Sequence, residues 1–213
     1  MLTRETIIKN SISYANKFNI DVSVEPFPWF LLSILFGARI SEEIAARTYY
    51  LFKKEDLITP EKIVRAGWDH LVYLLDSGGY TRYDFKTATK IINMSENIIK
   101  SGGLKKIHEE SRNFEDLVKR LKSLSKGIGD VTLGIFMREM VDVWEKARPM
   151  PSYYSNLAMK NLSLNIYSYR EFEISYSIYE YFLHKIGKNC YRGNCSECIV
   201  RDDCIKNKDK VFK

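Results

Sequence analysis

The chain has 213 residues and a mass of 24.9 kDa, room for one good core or two small lobes, and its 45% hydrophobic content favours a folded protein. No apolar run approaches the length of a bilayer-spanning helix and Met1-Leu2-Thr3-Arg4-Glu5 has no signal-peptide core, so an intracellular, cytoplasmic protein is expected. A net charge of +6 with a pI near 9.0 favours a polyanionic partner.

The pattern of apolar residues predicts helices in succession. The first is expected from Thr3, as N-cap, to Phe18, burying Ile7, Ile8, Ile12 and Ala15. A second, from about Pro28 to Gly37, is apolar almost all round and reads as the centre of a bundle. Ser41-Glu42-Glu43 opens the next, with Ile44, Ala45, Thr48 and Leu51, and Thr59-Pro60-Glu61 is an N-cap followed by Pro at N1. A short helix after Gly67-Trp68-Asp69 ends at Gly78-Gly79. Phe85, Ala88, Ile92, Ser95 and Ile99 then mark one face of a long helix closed by Gly102-Gly103. Asn113 caps another. Beyond Pro149 and Pro151, Ser152 caps a further helix, and Ser168 with Glu171 has capping-box spacing before a helix burying Phe172, Tyr176, Tyr179, Leu183 and Ile186, with Gly187 as its end. With no convincing strand pair, the expected class is all-α.

Leu124 to Thr132 reads as a tight hairpin between two amphipathic helices. The helix before it carries Phe114, Leu117, Val118, Leu121 and Leu124, and the one after it Leu133, Phe136, Met137, Met140 and Trp144. Gly127 and Gly129 permit a sharp turn and a close approach by a partner, and the second helix starts with free N–H groups, an anion site made of backbone. Lys119, Arg120, Lys122 and Lys126 surround it, so the natural anion is a nucleic-acid phosphate. The same residues also read as a plain structural corner with Asp130 as N-cap. Aromatics such as Tyr49, Tyr50, Tyr153, Tyr154, Tyr179 and Tyr181 could stack on bases, though in helical segments such residues more often line a core or groove.

From Lys185 to Lys213, eight basic residues stand against four acidic ones, and all four cysteines lie there. Cys190, Cys195, Cys198 and Cys204 follow C-x4-C-x2-C-x5-C, four thiolates within fifteen residues. Clustered cysteines in a reducing compartment point to metal. Zinc is one possibility, but its ribbons usually place two ligand pairs well apart in sequence, so the compact uneven loop favours a [4Fe–4S] cluster.

Together, the hairpin Leu124–Thr132 and the terminal loop Cys190–Cys204 resemble the helix-hairpin-helix DNA glycosylase superfamily, in its endonuclease III-like branch. Leu32 to Arg39 and Ser77-Gly78-Gly79-Tyr80 are weaker echoes, and the gap between the first two cysteines is shorter than usual in that branch. The resemblance implies a two-lobed fold, a six-helix barrel lobe over 25–129 and an iron–sulfur lobe of 1–24 with 130–213, in which 188–205 form the cluster loop. It also implies a monomer that binds double-stranded DNA between its lobes and flips a damaged base out of the stack. Lys126, Gly127, Ile128, Gly129 and Thr132 would hold the DNA backbone, and Arg39 matches the side chain that fills the gap left by the flipped base.

Lyase members carry a nucleophilic Lys two residues after the second hairpin glycine. Here that residue is Val131. They also carry a catalytic Asp in the loop after the next helix, which here reads Ala147-Arg148-Pro149-Met150-Pro151-Ser152 and has no carboxylate. The expectation is a glycosylase-like base-excision protein with weak or absent lyase activity and no assigned catalytic residue. The alternative is a catalytically silent iron–sulfur DNA-binding protein that recognises damage or DNA structure. An iron–sulfur electron carrier is disfavoured by the charge and the hairpin.

Overall fold

A computed structural model describes residues 2–205, so Lys206, Lys208, Asp209, Lys210 and Lys213 of the basic terminus lie outside the described residues. Among the described residues every regular element is helical, and no helix is long and apolar enough to cross a membrane. The chain divides into two compact units, Ile20–Arg148 and a second made of Met1–Asn19 with Pro149–Lys213.

The N-terminal segment forms two short helices, α1 (Arg4–Lys9) and α2 (Tyr14–Lys17), where one was expected. Polar side chains compete for the backbone between them: Asn10 Nδ2 donates to Thr6 O at 2.9 Å, and Ser13 caps α2. Thr3 does cap α1, and Ile7 and Ala15 are buried. The break changes the register, leaving Ile8 and Ile12 exposed.

In the larger unit, α3 (Phe27–Phe36) is buried on nearly every side, as an apolar helix must be. Around it come α4 (Glu42–Lys54), capped by Ser41, α5 (Pro60–Ala66), capped by Thr59, and α6 (Trp68–Gly78). Tyr80 at the end of α6 is buried, and its hydroxyl donates to Leu35 O at 2.6 Å, which gives the Ser77–Tyr80 echo a structural job. The long α7 (Asp84–Lys100) buries Thr87, Ala88, Ile91, Met94, Ser95 and Ile98, a stripe rotated from the expected one. Phe85 and Ile99 lie on the surface, and Phe85 packs against Trp68 at 5.4 Å.

After α8 (Leu104–Glu110) come α9 (Phe114–Ser123), capped by Asn113, and α10 (Asp130–Met140). Helix α10 is bound to α3. Trp29 Nε1 donates to Phe136 O at 3.0 Å, and the Phe30 and Phe136 rings meet edge to face at 4.7 Å. That packing corrects the expected boundary at 129/130: α10 belongs with the larger unit, which extends to Arg148.

The second unit holds α11 (Tyr153–Leu162), capped by Ser152, then α12 (Ser168–Glu171) and α13 (Tyr176–Tyr191). The Ser168 capping box does not form, because the Ser168 hydroxyl accepts the Asn165 N–H at 3.1 Å. The chain turns at Glu173, φ 52°, and Ser175 caps α13 instead. Gly187 does not end that helix. An added Cβ there would sit 1.8 Å from Tyr154 O, so glycine is what lets α13 lie directly on α11. Helix α1 also packs on α13, joining the chain start to its C-terminal part.

Candidate nucleic-acid interface and cysteine loop

The hairpin forms where its sequence predicts. Leu124 and Ile128 are buried and anchor it, while Lys126, Gly127 and Gly129 are exposed. Gly127 has φ +90°, a conformation that L side chains rarely adopt. Gly129 has extended backbone, φ −116° and ψ −173°, and an added Cβ would meet nothing within 4 Å. Its value is therefore open space in front of the backbone.

Gly129, not Asp130, is the N-cap of α10, so the expected Asp130 cap is corrected. Asp130 is the first helical residue, and its Oδ1 accepts the Lys122 ammonium at 2.7 Å, which ties the two helices together and neutralises a charge that would repel an anion. No side chain caps α10, which leaves its first amides to an outside acceptor. Thr132 is buried with its Oγ1 against Gly37, so it can contact a phosphate only through its backbone. Arg120 is engaged with Asp116 at 3.2 Å and Glu110 at 3.9 Å, whereas Lys119 and Lys126 are exposed.

Two supporting residues come from α7, and neither has a local sequence signal. Asn97 Nδ2 donates to Leu124 O at 2.9 Å, holding the end of α9. Lys90 lies against the turn, its Cε 3.1 Å from where a Gly127 Cβ would be, and burial pushes its ammonium below the usual lysine range. It adds a cation about forty residues away in sequence, which only the fold reveals.

The cysteine loop begins in the last turn of α13, where Cys190 is half-buried. Successive turns follow: Gly193 N–H to Cys190 O, Cys198 N–H to Cys195 O, and Cys204 N–H to Arg201 O. All four are free thiols, and among the described residues no three His, Cys, Asp or Glu side chains are gathered tightly enough to hold an ion. The donor chemistry still fits a thiolate-bound metal group. Cys190 is pushed up chiefly by burial, is held back by a hydrogen bond with the Asn161 amide, and is raised further by the charges of Cys198, Cys204 and Cys195.

The other singled-out residues lie as follows. Val131 is 68% exposed next to the hairpin, and Arg39 is exposed beyond α3. Arg148 Nη1 donates to Glu145 O at 2.6 Å and Ala147 O at 2.7 Å, so its guanidinium closes its own turn. A carboxylate does reach the start of α11, from α13: Glu180 Oε1 accepts the Ser152 N–H at 3.2 Å and the Ser155 hydroxyl at 2.7 Å, and Ser152 Oγ meets His184 Nδ1 at 2.9 Å. Glu180 is 2% exposed, which makes it a buried support for that helix. Of the aromatic candidates, Tyr49 and Tyr179 are core, while Tyr50 and Tyr153 are exposed. Compared with protein-family models and with curated proteins, the chain finds no match.

Proposed function

We propose that this chain is an endonuclease III-like DNA-repair protein that grips duplex DNA through its helix-hairpin-helix and acts in the manner of a base-excision glycosylase without efficient lyase chemistry. The observation that carries the reading is the hairpin: a turn held by Gly127, an open approach at Gly129, an uncapped α10 and the nearby ammoniums of Lys90 and Lys126. Backbone amides at such a turn bind a phosphate oxygen, and the lysines supply the sequence-independent attraction. The joining of the chain start to its C-terminal part supports the two-lobed glycosylase-like arrangement.

Cys190, Cys195, Cys198 and Cys204 would hold a [4Fe–4S] group, with zinc as the rival. When bound, such a group supplies a rigid core for the loop and an electron-transfer centre. The silent DNA-binding reading draws on Val131, which carries no amine, and on Arg148, turned onto its own backbone.

Fluorescence anisotropy on duplexes with and without an abasic or oxidised-pyrimidine site, as a function of salt, tests the binding. Affinity should fall steeply with salt, and Lys90→Gln should reduce the log–log slope by about one. Salt-independent binding, or none, would sink the proposal. Base release from the same duplexes separates the glycosylase from the silent binder.

A further inference from the structure

Three tyrosines gather where α11 lies on α13. Tyr154, whose carbonyl presses on Gly187, is half-buried, and its ring meets Tyr153 at 5.6 Å, Tyr191 at 5.6 Å and His184 at 5.3 Å. Tyr153 and Tyr191 stand on this base at 67% and 63% exposure, their ring centroids 6.1 Å apart and their planes at 86°. Two large rings left in water on adjacent helices are an interaction surface suited to a flat partner. The charge beside them has one sign: neither α11 nor the stretch from His184 to Arg192 contains an acidic residue, and Lys160, Lys185, Lys188 and Arg192 are all exposed. Lys188 lies one turn before Tyr191 on α13 and Arg192 directly follows it, so cations border the rings.

We propose that Tyr153 and Tyr191 form a stacking site for unpaired nucleotides of a nucleic-acid strand, with the phosphates held by Lys188 and Arg192. This rests on the nucleic-acid reading of the chain, but it uses none of the hairpin residues and lies wholly in the second unit. Every base has a π face, and that face is open to an aromatic side chain only when the base has left the duplex stack. With the two rings near a right angle, a base lying flat on one turns its edge to the face of the other, and both are arrangements that aromatic pairs favour. The strand's phosphates then need cations beside the rings, where Lys188 and Arg192 stand.

Fluorescence anisotropy on full-length wild type and the variants Tyr153→Ala, Tyr191→Ala, Tyr153→Phe and Tyr191→Phe compares a labelled oligothymidylate with a fully paired duplex of the same length. Each alanine variant should weaken single-strand binding about tenfold while its duplex affinity and melting temperature hold, and phenylalanine, which keeps the ring, should restore it. Irradiating the wild type with an oligonucleotide that carries 5-iodouracil should cross-link Tyr153 or Tyr191, a readout that stands even if an alanine variant fails to fold. Cross-links confined to other residues, or alanine variants that bind the single strand as the wild type does, would overturn the stacking site. So would phenylalanine variants as weak as the alanine ones, or an equal loss on single strand and duplex. Wild type that binds duplex but not oligothymidylate would overturn the stacking site and leave the hairpin reading standing, and wild type that binds neither would overturn both.

Discussion

Single side chains decide how the hairpin can be tested, and the two glycines differ. Gly127 sits at φ +90° against Lys90, so any larger residue there strains the turn by about 1–2 kcal/mol and blurs binding with stability. Gly129 has ordinary extended geometry and open space, so Gly129→Val should cost only the N-cap preference for glycine over valine, about 0.5–1 kcal/mol, while weakening binding to all DNA sequences alike. Retained affinity in that variant would remove the hairpin from the interface. A second residue-scale effect concerns pH. His108 stacks on Trp144 at 4.8 Å, and its Nε2 accepts the Lys146 N–H at 3.3 Å, which requires a neutral ring. Burial, then the Lys146 charge, lowers its pKa from 6.5. A cationic group with a depressed native pKa binds fewer protons folded than unfolded, so stability falls as pH drops through 6.5 and levels off below the native pKa. Urea unfolding between pH 7.5 and 5 should show this slope, and His108→Gln should flatten it. An unchanged slope in the variant would assign the acid sensitivity to other groups.

At the scale of elements, α11 and α13 illustrate both the reach and the limit of sequence reading. Ser152, Thr59, Ser41 and Asn113 were legible as caps because a cap is a local competition between one side chain and nearby amides. The hairpin was legible for the same reason, as were the apolar stripes of α9 and α10. Gly187 was misread as a helix end, because its reason for being glycine is Tyr154 O on another helix, more than thirty residues earlier. The α7 stripe was misplaced because Phe85 finds its partner, Trp68, at the surface. Lys90 and Asn97 were invisible, since each lies against a segment distant in sequence. Gly187 also reverses an ordinary rule. Gly→Ala inside an exposed helix gains roughly 1 kcal/mol. Here the new methyl would overlap a carbonyl oxygen at 1.8 Å, so Gly187→Ala should destabilise the protein by about 2–3 kcal/mol as α11 is pushed off α13. Chemical denaturation measures it, and a neutral or stabilising result would mean that the two helices do not pack as described.

For the whole molecule, the excess charge of +6 is not spread evenly in effect, because internal pairing consumes part of the basic set around the hairpin. Arg120 and Lys122 are committed to acids, which leaves Lys90, Lys119 and Lys126 as the cations available to an anion in that region of the described structure. None of them occupies the position two residues past Gly129, where a lyase nucleophile would stand. That position is Val131, exposed to solvent, so Val131→Lys should cost less than about 0.5 kcal/mol and present an amine beside the hairpin. Arg148→Asp places a carboxylate in the Ala147–Ser152 loop at the cost of the two bonds that close the Glu145–Ala147 turn, roughly 1–2 kcal/mol. Wild-type protein should form no borohydride-trapped adduct with abasic duplex. Val131→Lys alone should trap weakly, since an amine without a nearby base is mostly protonated at neutral pH, and the double variant should trap more and cleave the strand. No gain in the double variant, with both substitutions folded and DNA still bound, would mean that the surroundings of Val131 are not those of a lyase pocket. A trapped adduct already present in the wild type would place the nucleophile on another lysine, with Lys90 beside Gly127 the first to replace, and would establish lyase chemistry by a route independent of Val131.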